Sequence, residues 1–345
     1  MLYPISFASD NYAGCHPEVM ESLQRVSHGH LGSYGHDIVT EQAEALFRQQ
    51  LGDQVEVFFV LNGTAANVLG LSTLMHPHEA VICASTAHLQ QDECGALERF
   101  AGHKVLLVPT TDGKIRPETL APLMLRKTDV HSVQPRVLSL TQSTEYGTVY
   151  SLEELRALCE EAHRLGLYVH MDGARVSNAA VSLGVELRQM TGEVGLDLLS
   201  FGGTKNGLMM GEAVVFFRPE LVQHFEFVRK QGMQLASKMR FVSAQFLALL
   251  SNDLWRRSAR HANTMAQRLV AGMRELPGVQ ITQPVQANAV FAILPPVVIP
   301  RLQLRHHFYV WDERRHEVRW MTAFDTSEQD VDAFVEAARE LLQSL

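Results

Sequence analysis

Leu199-Ser200-Phe201-Gly202-Gly203-Thr204-Lys205-Asn206-Gly207 predicts a short apolar strand that ends in a glycine turn and one lysine. Earlier in the chain, Tyr168-Val169-His170-Met171-Asp172-Gly173-Ala174-Arg175 predicts another strand, whose carboxyl end carries Asp172. Pyridoxal phosphate needs an amine to form a Schiff base with its aldehyde and a carboxylate to keep its ring nitrogen protonated. Lys205 alone is typical of a surface lysine in a turn, but the two strand ends together indicate pyridoxal phosphate chemistry.

Apolar, β-branched runs recur along the chain and alternate with segments of helical period. The predicted strands are Val55–Leu61, Ala80–Ala84, Lys104–Pro109, Arg136–Thr141, Leu167–Met171, Asp197–Phe201 and Glu212–Phe217. The clearest predicted helices among them are Thr64–Met75, Leu152–Leu165 and Ser177–Leu183. This alternation predicts an α/β fold with a mostly parallel, seven-stranded sheet and helices on both faces.

Ligand-binding residues of such a sheet gather beyond the carboxyl ends of its strands. Four polar residues fall just after predicted strands: His88, Gln142, Asp172 and Lys205. Because parallel strands end at the same edge of the sheet, this shared position predicts a single site.

Val57–Asn67 predicts a strand, a tight turn and the start of a helix. The free N–H groups and the dipole at a helix N-terminus attract anions. Gly63 lets the backbone approach such an anion, and Thr64 adds a hydroxyl donor. The same string also serves as an ordinary turn between a strand and a helix, so only its combination with Asp172 and Lys205 predicts a phosphate site.

Two further side chains have both a functional and a structural interpretation. The His88 imidazole could stack on an aromatic cofactor or transfer protons near neutral pH, but a lone histidine at a strand end is usually just hydrogen-bonded. Arg175 either pairs with Asp172 to cap the next helix, or supports the site and binds an anionic substrate group with its planar fork.

The pattern changes after about Phe227. Two long helices are predicted there, Lys230–Leu250 and Leu254–Leu276. Short strands and a closing helix follow, namely Gly278–Thr282, Ala289–Leu294, Phe308–Asp312, Glu317–Thr322 and Ser327–Leu345, with Ser327 as the helix cap. We therefore expect a large cofactor-binding domain with an N-terminal arm, residues 1–245, and a small α+β domain, residues 246–345.

Composition excludes several classes of protein. The chain has 345 residues and a formal net charge of −8, and no basic stripe follows a predicted helix, which argues against nucleic-acid binding. It contains no apolar run long enough to cross a bilayer, and residues 1–7 lack the features of a signal peptide. Four scattered cysteines without CxxC spacing fit a reducing compartment. We expect a cytoplasmic enzyme that binds neither nucleic acid nor membrane.

The ordered set of motifs resembles the low-specificity L-threonine aldolase family, including its phenylserine aldolase branch. The matching pieces run nearly from end to end and are Phe7–Asn11, Ser33–Gly35, Phe59–Asn67, Thr86–His88, Asp92–Gly95, His170–Arg175, Phe201–Gly207 and Ala236–Arg240. The resemblance implies a pyridoxal 5'-phosphate enzyme of fold type I, the aspartate aminotransferase-like fold. It also implies cleavage of L-threonine, L-allo-threonine and related β-hydroxy-α-amino acids to glycine and an aldehyde.

The resemblance implies a role for each matching residue. Toward the cofactor, Lys205 would hold the aldehyde, Asp172 would bind the ring nitrogen, and His88 would stack on the ring. Gly63 and Thr64 would bind the phosphate, and Arg175 would also belong to the cofactor-binding set. Toward the amino acid, the carboxylate would be bound by Ser9, Arg175 and Arg319, and the hydroxyl would lie near His131. Tyr34 and the Lys230–Arg240 stretch would enter from a neighbouring subunit, because the family's sites lie at a dimer interface in a homotetramer. The base for the hydroxyl proton is left open among His88, His131 and an ordered water.

Three departures from the family pattern affect substrate preference and the intersubunit contacts. His36 stands where many relatives have an aspartate, and Ala323-Phe324 replaces a histidine before the final Asp325. The segment around Lys230 and Lys238 aligns only with a gap, which leaves open which of the two lysines approaches the neighbouring site.

Other functions compete with the aldolase interpretation. An aminotransferase, racemase or β-eliminating lyase would carry the same Lys205 and Asp172. A non-catalytic domain needs neither residue, so the pair argues against it. A metal site built from the loop histidines His28, His30 and His36 lacks a carboxylate at ligand spacing, and we expect no metal.

Overall fold

In the computed structural model, which describes residues 5–345, a seven-stranded sheet forms the centre of the molecule. Its strands are β1 Glu56–Val60, β2 Glu79–Ala84, β3 Lys104–Val108, β4 Gln134–Thr141, β5 Tyr168–Gly173, β6 Leu198–Gly202 and β7 Glu212–Phe216. They lie in the order β1-β7-β6-β5-β4-β2-β3. β7 pairs antiparallel with β1 and β6, and the other pairs are parallel. The predicted mostly parallel, seven-stranded sheet is confirmed. Residues 1–4, on which part of the signal-peptide prediction depends, lie outside the described range.

Thirteen α-helices are assigned within residues 5–345. They are α1 Pro17–Arg25, α2 Ile38–Leu51, α3 Gly63–Leu74, α4 His88–Gln91, α5 Ala96–Ala101, α6 Leu152–Arg164, α7 Val176–Leu183, α8 Leu187–Met190, α9 Phe225–Gln231, α10 Arg240–Leu250, α11 Leu254–Arg274, α12 Ile299–Gln303 and α13 Glu328–Gln343. None of the helices in this part of the chain is both long and apolar enough to cross a membrane.

Helices cover both faces of the sheet, as predicted. The alternation of side chains along β1 shows the two layers: Val57 and Phe59 belong to one hydrophobic cluster, and Phe58 and Val60 belong to another. Helices α2, α6, α7 and α10 contribute to the first cluster, and α3, α5 and α9 border the second. The Phe59 ring stacks on Phe246 of α10 with their centroids 5.0 Å apart. A sheet that is apolar on both faces can expose ligand-binding groups only at its edges and ends.

The predicted helix Lys230–Leu250 is interrupted. α9 ends at Gln231, and α10 begins at Arg240. A Cβ at Gly232 would lie 2.6 Å from the Leu69 side chain, and Met233 has a φ of +62°. The close approach to α3 and the left-handed residue after it explain the break.

The C-terminal part forms a smaller α+β unit. Its antiparallel sheet has the order β10-β11-β9-β8, from β8 Gln280–Ile281, β9 Ala289–Ile293, β10 Tyr309–Asp312 and β11 Glu317–Met321. This sheet packs on α11 and α13, and Ser327 caps α13 as predicted. The N-terminal arm joins this unit, because Phe7 N donates to His307 O (2.8 Å) and Met321 N donates to Phe7 O (2.8 Å).

The hydrophobic contacts of α10 and α11 can be compared with the domain boundary predicted at residue 245. Val242 and Leu249 of α10, and Trp255 at the start of α11, pack in the core of the large sheet. Further along α11, Met265 and Leu269 pack in the core of the small unit. The hydrophobic clusters therefore change over within α11, and the division at residue 245 stays a prediction.

Candidate active site

Predicted site residues converge at the carboxyl ends of the parallel strands. One cavity of about 890 Å³ opens there, between the large sheet and the small unit. Its lining includes seven of the ten predicted residues, namely Ser9, Gly63, His88, Asp172, Arg175, Lys205 and Arg319. Thr64 lines an adjoining cavity of about 240 Å³ that shares Gly63, Asp172 and Lys205 with the first.

Lys205 is positioned by the glycine pair that precedes it. It lies on a 3-10 turn, Thr204–Asn206, directly after β6. A Cβ at Gly202 would lie 2.3 Å from Ala174 O, and one at Gly203 would lie 2.5 Å from Gly211 O, so both positions require glycine. Burial lowers the pKa of Lys205, and the positive charge of Arg175 lowers it further. A lowered pKa favours the neutral amine, which is the form that attacks an aldehyde.

Asp172 is buried near the end of β5 and held by two donors. Asn67 Nδ2 donates to Oδ2 (2.9 Å), and Ala174 N donates to Oδ1 (3.0 Å). Burial raises the pKa of Asp172, but the Asn67 hydrogen bond and the positive charges of His88 and Lys205 outweigh it, so the pKa is lowered overall. Asp172 is therefore a carboxylate at neutral pH, as a partner for a protonated ring nitrogen must be.

His88 begins α4 and is fixed from two sides. Its backbone N–H donates to Glu145 Oε1 (2.9 Å), and its Nδ1 shares a hydrogen bond with Glu93 Oε1 (2.9 Å). The bond to Glu93 raises the pKa of His88, while burial opposes the rise. The ring is therefore oriented within the cavity and carries a proton up to a higher pH than usual.

The first turn of α3 offers a site for an anion. Asn62 is the N-cap, and its Oδ1 accepts a hydrogen bond from Ala65 N (2.9 Å). Gly63 opens onto both cavities, and a Cβ built on it meets no atom within 4 Å. Space in front of a helix N-terminus, with the half-buried Thr64 beside it, fits a phosphate group.

Two arginines face the same cavity from the other side. Arg175 donates from Nε and Nη2 to the two carboxylate oxygens of Asp10, both at 2.7 Å. Burial raises the pKa of Asp10, but Arg175 outweighs it and the pKa falls to about 2. Arg319 lies 5.0 Å above the Trp311 ring and donates from Nη2 to Ala8 O (3.3 Å). Burial lowers the pKa of Arg319 to about 10, so both guanidinium groups stay charged.

The arginine pair leaves room for one more carboxylate. Asp10 neutralises Arg175, whereas Arg319 has no carboxylate within ion-pair distance among the described residues, and its buried Nε has no hydrogen-bond partner there. Ser9 lies beside Asp10 on the same arm and lines the same cavity. This arrangement fits the carboxylate of an amino acid.

Buried polar atoms around the cavity test whether a cofactor fits. Several of them have no hydrogen-bond partner within residues 5–345, namely Asn67 Oδ1, Thr86 Oγ1, Glu93 Oε2 and Ser143 Oγ. Folded proteins normally pair such atoms with protein, water or ligand. Their position around Lys205, Asp172 and the α3 N-terminus fits a polar aromatic group that carries an aldehyde and a phosphate.

Comparison with known proteins identifies the family. The model of the beta-eliminating lyase family matches residues 6–295. The low-specificity L-threonine aldolase of Pseudomonas aeruginosa is 43% identical over 336 residues, which cover 97% of this chain and 96% of the relative. The chain belongs to the low-specificity L-threonine aldolase family.

Solved structures agree with this family in fold. A Leishmania major threonine aldolase superposes with a TM-score of 0.93 at 29% identity, over 98% of this chain and 100% of the other. The aspartate aminotransferase of Thermus thermophilus has a TM-score of 0.70 at 18% identity, over 97% and 90% of the two chains, which shows the fold alone. The aspartate aminotransferase-like fold is confirmed, and so is the family's cofactor, pyridoxal phosphate.

Three residues with roles implied by the threonine aldolase family do not line the cavity. His131 is exposed in the turn before β4, at the amino end of the sheet. His131 precedes β4, and Thr141, which lines the cavity, is the last of the eight residues of that strand, whose length is roughly 25 Å. Tyr34 is exposed and faces Lys230, whose Nζ lies 4.9 Å from the ring centroid. Contacts of His131, Tyr34 and Lys230 with a substrate therefore require a second copy of the chain and stay predictions.

The loop histidines, for which we expect no metal, lie apart from the group of side chains that could hold one. His28, His30 and His36 are exposed and form no three-residue ligand group in the described part of the chain. The group found there consists of His88, Glu93 and Asp172, whose ligand atoms lie within 4.8 Å of one another. Hydrogen bonds already connect these atoms, both directly and through Asn67.

Four polar residues that hold the family's site residues received no role from the sequence: Asp10, Asn67, Glu93 and Glu145. The first three lie inside the matching motifs. Their closeness in sequence to a predicted site residue was therefore the signal that could have identified them. Glu145 follows β4 at the cavity edge, and burial raises its pKa to about 7. Its contact with His88 depends on the tertiary fold and has no local sequence signal.

Proposed function

We propose that this chain cleaves L-threonine, L-allo-threonine and related β-hydroxy-α-amino acids to glycine and an aldehyde. The observation that supports this most directly is that Lys205, Asp172 and the arginine pair line one cavity. One end of that cavity fits the cofactor, and the other end fits the carboxylate of an amino acid.

Cofactor binding follows from the cavity's own residues. Bound pyridoxal phosphate supplies a ring that accepts the electron pair released when the bond between Cα and Cβ breaks. Lys205 would hold the aldehyde carbon, and Asp172 would keep the ring nitrogen protonated. His88 would lie against the ring, and the α3 N-terminus at Gly63 and Thr64 would bind the phosphate.

Substrate orientation is the task of the opposite wall. Arg319 binds the carboxylate, and Ser9 adds a hydroxyl donor. Arg175, whose Nε and Nη2 are held by Asp10, reaches the same carboxylate only through its Nη1. Two fixed points on the carboxylate restrict rotation about the bond between nitrogen and Cα. That restriction decides which of the bonds at Cα is aligned for cleavage.

The hydroxyl proton must leave as the bond between Cα and Cβ breaks. Of the two predicted histidines, His88 lines the cavity within one chain, and Glu93 holds its Nδ1. We therefore assign the proton to His88 or to a water that it binds. His131 shares this task only if another copy brings it to the cavity.

The assembly follows the family's pattern. We propose a cytoplasmic homotetramer whose sites lie at a dimer interface, which Tyr34 and the Lys230–Arg240 stretch approach from the neighbouring copy. Sedimentation equilibrium of the purified protein should give four times the chain mass, and a monomer would contradict the proposal.

Product analysis tests the reaction itself. Purified protein with pyridoxal phosphate is incubated with L-threonine and, separately, with L-allo-threonine. We expect glycine and acetaldehyde in equal amounts from both, and none from Lys205→Ala. 2-Oxobutyrate with ammonia would indicate β-elimination, and a D-amino acid without acetaldehyde would indicate racemisation. Transfer of the amino group to an added 2-oxo acid would indicate an aminotransferase.

A further inference from the structure

Asn67 lies between two buried carboxylates of the site. Its Nδ2 donates to Asp172 Oδ2 (2.9 Å) and to Glu93 Oε1 (2.8 Å). All three residues are at most 7% exposed. Asn67 belongs to α3, Asp172 to β5, and Glu93 to the segment after α4. One amide group therefore joins three parts of the chain behind the cavity.

The shared amide has an electrostatic consequence. Two carboxylates this close repel each other, and repulsion favours protonation of one of them. Asn67 donates a hydrogen bond to both, and its bond to Asp172 lowers the pKa of that carboxyl group. In the described residues, Asp172 Oδ2 has no other donor, since Ala174 N binds Oδ1. Loss of the amide would leave that oxygen without a partner except the cofactor.

The orientation of the amide is also determined by its neighbours. A rotated side chain would place Oδ1, an acceptor, against two carboxylate oxygens. In the observed orientation, Nδ2 faces the two carboxylates. Oδ1 therefore points away from them, and it has no hydrogen-bond partner among residues 5–345. Asn67 itself lines both cavities.

We propose that Asn67 is a positioning residue that acts on the cofactor ring through Asp172. Its amide keeps Asp172 ionised and directed at the ring nitrogen, and it connects Asp172 to Glu93, which holds His88. The inference deepens the proposed function and rests on the proposed contact of Asp172 with the ring nitrogen.

A purely structural role must be distinguished from this one. Asn67→Leu keeps the branched shape at a larger volume and removes both donors. Asn67→Ala removes them without the risk of overpacking in α3. Asn178→Leu is the matched control. Asn178 is a buried asparagine on α7 of the same domain, but its amide donates to Asn263 Oδ1 (2.9 Å) and not to a carboxylate. It does not line either cavity.

The test measures cofactor binding and does not depend on turnover. Full-length protein is stripped of cofactor and titrated with pyridoxal phosphate and with its deaza analogue, in which a C–H group replaces the ring nitrogen. Fluorescence quenching gives the two dissociation constants, and their ratio is the preference for the ring nitrogen. Asp172→Asn should lower this preference about ten- to a hundredfold, as expected for the loss of a charge-assisted hydrogen bond. Both Asn67 variants should lower it about three- to thirtyfold, and Asn178→Leu should leave it unchanged.

The outcomes separate the two claims. If both Asn67 variants keep the wild-type preference for the ring nitrogen, the positioning role is overturned. This holds even if both variants bind pyridoxal phosphate and its deaza analogue more weakly by the same factor. An unchanged preference in Asp172→Asn would instead overturn the proposed contact with the ring nitrogen, on which the inference rests.

Discussion

Asp172 and Asp197 are both buried, and each lies close to a histidine, but they occupy opposite ends of the sheet. Asp197 directly precedes β6 at the amino end. Its Oδ2 accepts hydrogen bonds from Val169 N (2.7 Å) and His163 Nε2 (2.9 Å), and its Oδ1 accepts one from Arg218 Nη1 (3.3 Å). These contacts are all made within the protein, and they satisfy both carboxylate oxygens of Asp197.

At the carboxyl end of the sheet, in contrast, several buried polar atoms lack a hydrogen-bond partner. Around Asp172, the side chains of Asn67, Glu93 and Ser143 each keep a buried polar atom without a partner in the described residues. An unsatisfied buried polar group costs about 1–3 kcal/mol. A fold that keeps several of them beside one cavity is stabilised when a ligand supplies the missing partners. This difference supports the proposal that Asp172 contacts a ligand, whereas the contacts of Asp197 stabilise the fold.

The largest effect is expected at Lys205. Lys205→Ala removes the one lysine that lines the cavity in the described chain, so it should abolish turnover and the visible absorption of the lysine-bound cofactor. Lys127→Ala is the matched change at the amino end, where Nζ donates to Leu165 O, and it should preserve both. A Lys205→Ala protein that cleaves L-threonine would show that the comparison of the two ends is wrong.

Asp172→Asn should slow cleavage of L-threonine by about a hundredfold or more while the cofactor stays bound. The neutral amide cannot keep the ring nitrogen protonated, and loss of one preorganised electrostatic contact typically costs this much. Steady-state rates and absorption spectra measure the two effects separately. Equal rates for the variant and the wild type would remove Asp172 from the mechanism.

Arg319→Ala should raise KM for amino acid substrates about ten- to a hundredfold, because a charged hydrogen bond to a carboxylate contributes roughly 1.5–3 kcal/mol. Arg319→Lys should recover part of the loss, since lysine lacks the fork. Arg268→Ala, which breaks an exposed pair with Asp332, should leave KM unchanged. Loss of the cofactor with unchanged KM would place Arg319 at the phosphate instead.

The smallest effect on activity is expected at Asp197. Asp197→Asn should change kcat/KM by less than about twofold, because the site is at the other end of the sheet. The free energy of unfolding should fall by about 1–3 kcal/mol, since the hydrogen bonds to His163 and Arg218 weaken. Urea unfolding at constant cofactor concentration measures the second quantity. A loss of activity comparable to that of Asp172→Asn, at unchanged stability, would contradict the assignment.

The sequence could predict those site residues that directly follow a predicted strand. Asp172, Lys205 and Gly63 follow apolar strands, and the geometry of a parallel sheet brings strand ends together. His131 precedes a predicted strand, so its place at the far end could also have been expected. The contacts of Asn67 with Glu93 and of Asp10 with Arg175 depend on how distant segments pack, and no local pattern encodes them. The break after α9 likewise depends on the approach of Gly232 to Leu69.

Covalent mapping of the cofactor tests the central claim most directly. The protein is loaded with pyridoxal phosphate, reduced with borohydride and digested, and its peptides are analysed by mass spectrometry. Our account predicts one major modified peptide, the one that contains Lys205, and no modification at that position in Lys205→Ala. Specific labelling of another lysine such as Lys230 or Lys238, or no stable label at wild-type occupancy, would contradict it.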